Sequence, residues 1–231
     1  MTGWLIGMST AAVARGSFML AACHSAELVS LEALRGEAER AARRYPRPVV
    51  SLDEAEWVWR ELSVRAMEPG AEAVIVRLAV VVGLTRATGA RYGDLLRCTV
   101  DSLDLPGPGA RVGEGSVVVA HGKHRIVRRH RLGPEVVMVL QCWAVVRDEL
   151  CAGLEGSPPR ALLLTVHNTH DNGTAISCGL PITKQGLVLS WRRFVRRTNA
   201  EFGATRRPLP ARFEQVRRAW YPDGPPDRGV V

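Results

Sequence analysis

The chain has 231 residues, 46% hydrophobic and 23% charged, a balance that suits a globular protein with one good-sized core and a short arm. Its formal charge of +8 points to an acidic partner, and no stretch approaches ~18 uninterrupted apolar residues, so no membrane span is predicted. Five cysteines without CxxC spacing and an apolar start without a basic leader argue against a disulfide framework and a secretory signal; a cytoplasmic protein with reduced thiols is expected.

Residues 25–44 are rich in Ala, Leu and Glu and predict a helix weakened by Gly36. Two prolines in Tyr45-Pro46-Arg47-Pro48 end it and predict a linker, which sets an N-terminal arm (1–48) apart from a main domain (49–221). A second helix opens at Ser51, a capping residue followed by Asp53 and Glu54, with Trp57, Val58, Leu62 and Met67 at near-helical spacing. The apolar run 72–87 is too long for one buried strand and predicts a core helix that ends at Gly89. Residues 115–120 and 126–132 predict two strands joined by a tight turn at 121–124. A helix at 134–151, an apolar strand at 161–166 and a polar loop at 167–175 follow. Residues 184–200 predict a helix with Leu187, Trp191, Phe194 and Val195 on one side and four arginines around the other. A last helix is expected over 210–220 with Pro210 in its first position, then an unstructured tail at 222–231. The predicted class is α+β, mainly α, with helices around a small antiparallel sheet.

Basic residues concentrate in two blocks. Of 31 Lys and Arg, five lie in 121–131 with no acid among them, and ten lie in 184–218 against only Glu201 and Glu214. Such blocks predict a face built for a polyanion, or else an ordinary solvated charged face. Arg91 follows the Gly89 turn at a junction of helices, where its planar fork can clamp a phosphate and Asp94 can orient it; an exposed Arg–Asp helix pair is the alternative. Lys123 at a hairpin tip is a mobile point charge able to enter a groove, or simply part of a basic turn.

Thr88-Gly89-Ala90-Arg91 with Asp94-Leu95, then Gly122-Lys123 at a hairpin turn, then the basic helix and arginine-bearing segment of 176–220 follow one another in the chain, and in this order they resemble the tyrosine recombinase (phage integrase) family. Residues 84–105 carry Thr88-Gly89-Ala90-Arg91 and then Asp94-Leu95, similar to the family's first signature box. Residues 118–132, with Gly122-Lys123, resemble its β-hairpin, and 176–220 resemble the approach to its second box. The resemblance implies a recombinase catalytic-core-like fold, duplex DNA and other recombinase protomers as partners, no cofactor, and site-specific recombination or integration in a mobile genetic element. It implies that Arg91 and Arg217 hold the scissile phosphate, that Asp94 supports Arg91, and that Lys123 protonates the leaving oxygen. Glu214 stands where the family has a histidine, and Arg212 and Arg218 compete with Arg217 for its role. Arg125, Arg128, Arg129, Lys184, Arg192, Arg193, Arg196 and Arg197 are the expected DNA contacts.

The family's nucleophile is a tyrosine well beyond the second arginine. Tyr221 lies only four residues past Arg217, and Tyr45 and Tyr92 sit in other contexts, so the chain is expected not to cut DNA alone. Two further readings stand beside this one. A non-catalytic duplex-binding module would use the same arginines without chemistry. A metal-dependent hydrolase would use His167, His170 and Asp171, although no HExxH motif accompanies them.

Overall fold

The computed structural model describes residues 50–106, 115–122, 125–171 and 174–222, all within one compact unit that begins at Pro48. The expected helix at 25–44, the linker before Pro48 and nearly all of the 222–231 tail lie outside the described residues.

Helix α1 (Leu52–Met67) starts with a reciprocal cap: Ser51 Oγ accepts the Glu54 N–H at 3.1 Å, and Glu54 Oε2 accepts the Ser51 N–H at 2.7 Å. Its buried stripe is Ala55, Val58, Trp59, Leu62 and Ala66. The expected stripe was offset at two places. Trp59 is the core tryptophan, whereas Trp57 packs edge-on against Phe202 at 5.4 Å and Met67 is exposed.

Helix α2 (Ala73–Thr88) is buried from Ile75 through Thr85 and is apolar on nearly every side, as a central helix must be. Gly89 ends it with φ of 68°, the left-handed conformation that favours glycine, and its N–H reaches the Thr85 carbonyl at 2.8 Å. Gly83 lets α1 come close. A Cβ there would lie 2.7 Å from Trp59 Cζ3 and 2.9 Å from Cη2. Gly83→Ala is therefore expected to destabilise the fold by about 1–2 kcal/mol, overpacking outweighing the gain in helix propensity. Urea unfolding checks this, and a stabilised variant would contradict it.

The sheet is antiparallel in the order β1 (Leu103–Asp104), β2 (Gly115–His121), β3 (Ile126–Leu132), with Val119 opposite Arg128. The β2–β3 hairpin is the expected one; β1 is an addition, too short to show a pattern. Val117, Val119 and His121 point into the core, as strand alternation requires.

Helix α4 (Pro134–Cys151) follows, with Pro134 in the first turn. The segment 161–166 is extended and buries Leu162, Leu163 and Leu164, but it forms only isolated bridges, Thr99 to Ala161 and Leu164 to Pro181. Backbone N–H groups of Ile182 and Gly179 serve the carbonyls of Leu163 and Thr165, and side chains serve those of Ala161, Leu162 and Leu164. Trp143 Nε1 donates to Leu162 at 2.8 Å, buried Arg77 to Leu164 at 2.6 Å, and Arg147 to Ala161 and Pro159. The expected loop at 167–175 contains a short hairpin of β4 (Thr169–Asp171) and β5 (Thr174–Ile176).

Helix α5 (Lys184–Phe202) is capped by Thr183, whose hydroxyl accepts the Gly186 N–H at 3.1 Å. Helix α6 (Phe213–Trp220) begins three residues later than expected. Pro210 lies in the preceding loop, where its carbonyl accepts Trp191 Nε1 at 3.3 Å. Asn199 closes that loop with bonds of 2.8 and 3.0 Å to the backbone of Leu209. Where Phe213 enters the core the helix begins, against Tyr92 at 4.7 Å and Trp191 at 5.0 Å.

Candidate nucleic-acid interface

Beyond Gly89 the chain turns through buried Ala90 into Arg91 and the single turn α3 (Tyr92–Leu95). Thr88 Oγ1 fastens the turn, donating to Leu84 O at 2.6 Å and accepting the Ala90 N–H at 3.1 Å. Asp94 then gathers the local structure. Its carboxylate accepts the backbone N–H of Arg91 and that of Gly122, both at 3.0 Å, and Arg97 Nη2 at 2.7 Å. Burial pushes the Asp94 carboxyl up, but those two N–H groups and the Arg97 charge outweigh it and hold the carboxyl below its ordinary value.

That arrangement ties Asp94 to Arg91 through the main chain and not through the guanidinium fork. The fork that Asp94 pairs with belongs to Arg97. Arg97 also donates to Ala120 O at 2.9 Å and lies close against Gly122, where a Cβ would stand 2.6 Å from its Nη2. The hairpin turn is thus pinned to the α3 turn at Gly122. Lys123 itself lies outside the described residues.

Helices α5 and α6 face this junction. Together they line a cleft of about 640 Å³ with Lys184, Val188, Trp191 and Arg192 from α5, and Arg212, Phe213 and Glu214 at the start of α6. Arg91, Tyr92, Gly93, Asp94, Arg97, Gly122 and Ala211 complete the described wall. Among the described residues, five cationic side chains line the cleft, with Asp94 and Glu214 as the acids opposing them. Its apolar side rests on the stacked Tyr92 and Phe213 rings, which are 3° from parallel.

Arg217 sits behind the cleft rather than in it. Its side chain is 3% exposed, and its fork closes on Glu214 with Nε to Oε2 at 2.9 Å and Nη2 to Oε1 at 2.8 Å. Nη1 points toward the Gly89 carbonyl at 3.4 Å, two residues before Arg91. Arg217 thus reaches the backbone of the turn that carries Arg91, while only the Arg91 side chain lines the cleft, and Glu214 stands between Arg217 and the solvent side. The arginine of this region that reaches the cleft is the exposed Arg212, the rival assignment. Burial raises the Glu214 carboxyl, but the bonds and charge of Arg217, with Arg91 and Arg218, bring it below its ordinary value.

No described tyrosine presents a hydroxyl to the cleft for attack. Tyr221 donates to Arg86 O at 2.7 Å, and burial raises its pKa. Tyr92 lines the cleft, yet its hydroxyl is buried and its pKa is pushed well above the ordinary value by that burial. Tyr45 lies outside the described residues.

The other expected DNA contacts divide. On α5, Lys184 and Arg192 line the cleft; Arg193 and Arg196 are exposed outside it, and Arg197 pairs with Glu72 at 2.9 Å. On the hairpin, Arg128 and Arg129 point to opposite faces, as neighbours in a strand must. Arg129 is engaged by Asp104 at 3.2 Å and Ser116 Oγ at 3.0 Å, away from the cleft. Arg125 is exposed with φ of 52°. Arg97 was not anticipated, although its place three residues after Asp94 is the spacing of a one-turn ion pair. His167 is exposed, and the side chains of His170 and Asp171 lie outside the description; among the described residues no cluster suited to a metal ion occurs.

A pair of histidines, His121 buried and His130 partly so, lies beside Asp94 in the hairpin. His121 and His130 approach at 3.1 Å between Nε2 atoms, with His121 Nδ1 3.9 Å from Asp94 Oδ2. Burial, then the His121 ring and Arg128, draw the His130 imidazole from 6.5 to about 4. The unfolded chain takes up the His130 proton first, so stability is full above pH 6.5 and falls between 6.5 and about 4. His130→Gln is expected to flatten the Tm-versus-pH curve over that window. An unchanged slope would show that other groups govern it.

No protein-family description matches the chain, and no curated protein does. Among the solved structures that align with it is the XerH site-specific recombinase bound to its difH substrate, a pre-cleavage complex. There the identity is 17% and the TM-score 0.44, over 75% of this chain and 42% of the other. A post-cleavage complex of XerH with palindromic difH gives 17% and 0.45, over 77% and 42% of the respective chains. The XerA recombinase gives 16% and 0.45, over 76% and 50%. The chain spans 42% to 50% of the length of these proteins.

Proposed function

We propose that the chain binds duplex DNA by its phosphate backbone through the α3–α5–α6 cleft, as a tyrosine-recombinase-type domain that does not cleave DNA by itself. The observation that carries this reading is the convergence of Arg91, Arg97, Lys184, Arg192 and Arg212 on one cleft from three separate stretches of the chain. Guanidinium forks suit phosphate oxygens, and a concentration of like charge inside one cleft is costly unless an anion occupies it. The order of the three recombinase-like segments supports the family assignment, and the recombination or integration role comes with that assignment. Domain boundaries at 48 and 221, a cytoplasmic location and partnership with other protomers belong to the same proposal.

The occupied hydroxyl of Tyr221 and the buried one of Tyr92 favour binding without strand cleavage. Binding is tested by anisotropy with a labelled duplex across salt concentrations. With about four to five phosphate contacts, log K should fall against log salt with a slope near −4. A slope near zero would remove the DNA reading. A nicked suicide duplex tests cleavage: no covalent adduct is expected, and an adduct abolished by Tyr221→Phe would overturn the non-cleaving assignment.

A further inference from the structure

Resting on the reading of the cleft as a phosphate interface, we propose that Glu214 is its specificity-determining residue, a resident carboxylate that holds Arg217 in reserve and confines bound phosphate to the outer arginines. The geometry is that of a guanidinium fork already filled. Both oxygens of Glu214 are engaged by Arg217, at 2.8 and 2.9 Å, in the two-point arrangement a phosphate would otherwise adopt. Arg217 is fully enclosed, whereas Glu214 is 38% exposed and lines the cleft, so an incoming phosphate meets the carboxylate first. Arg218 Nε lies 3.5 Å from the same carboxylate, and Arg91 acts on it electrostatically. Glu214 thus stands between the enclosed Arg217 and the cleft that Arg91 lines. Arg212, two residues before it and exposed, takes over as the outward-facing cation of this segment.

Removing only the charge of Glu214 should release Arg217 to the ligand. Glu214→Gln in the full chain is expected to bind a labelled duplex about tenfold more tightly, with a salt slope steeper by about one contact. Glu214→Gln/Arg217→Gln should return to the wild-type slope. Asp101→Asn serves as the comparison, since it frees Arg160 from an equally close pair of 2.7 Å outside the cleft. An equal gain in Asp101→Asn, or an unchanged slope in Glu214→Gln while the wild type binds, overturns the proposal and leaves the DNA reading intact. Loss of salt-dependent binding in every protein overturns both. A measurement on the wild type avoids any dependence on variant folding: the Arg217 Nε resonance should stay in place when duplex is added while that of Arg91 moves. Movement of both would show that Arg217 is not held in reserve.

Discussion

Asp94→Ala is expected to destabilise the protein by about 3 kcal/mol, because it removes the one acceptor shared by two backbone N–H groups and an arginine. The N–H groups of Arg91 and Gly122, each 3.0 Å from the carboxylate, would lose their partner in a partly enclosed place, and Arg97 would lose its closest ion pair. The change also cuts the tie between the hairpin turn and the α3 turn, so duplex affinity should fall with stability. Asp94→Asn keeps one acceptor oxygen and should recover part of the stability. Urea unfolding with an unchanged m-value is the measurement. A loss below about 1 kcal/mol would mean that solvent replaces these bonds easily.

Arg91→Ala should leave the fold nearly intact and weaken duplex binding by about 10- to 100-fold at low salt, the range of a charged hydrogen bond worth about 1.5–3 kcal/mol. What Arg91 does for the fold runs through its main chain, at the N-terminus of α3, and the main chain survives the substitution. Its side chain lines the cleft and acts on Glu214 only through its charge. Affinity measured beside thermal unfolding separates the two effects. A large fall in Tm with unchanged affinity would make Arg91 a structural residue and not a phosphate ligand.

Much of this fold can be read from local pattern. The Ser51–Glu54 cap, the all-round apolar helix closed by Gly89 and the alternating valines of β2 each follow from a rule that acts over a few residues. The segment 161–166 eluded such reading because three of its carbonyls are satisfied by the side chains of Trp143, Arg77 and Arg147 from other elements rather than by a partner strand. Pro210 suggested a helix start. Burial of Phe213 against two aromatic rings set the start instead, and left Arg212 outside the helix and facing the cleft.

The candidate site divides in the same way. Arg91, Lys184 and Arg192 carry local signals and do share one cleft. Asp94–Arg97 and Glu214–Arg217 both stand at the three-residue spacing of a one-turn ion pair, but that Asp94 also accepts the Gly122 N–H and that Arg217 is enclosed depend on packing that no spacing in the chain encodes. The hairpin arginines are divided by strand alternation: a basic run in a strand splits its charges between two faces, and Arg129 pairs with Asp104 outside the cleft.

The most direct measurement compares the salt dependence of duplex binding for Arg192→Gln/Arg212→Gln with that for Arg60→Gln/Arg160→Gln. The first pair lines the cleft and the second lies exposed outside it, so both remove two surface charges. If phosphates sit in the cleft, the first variant should lose about two units of slope and the second almost none. Equal losses in the two variants would mean that DNA is held by overall charge, and the cleft would have no claim to be the binding site.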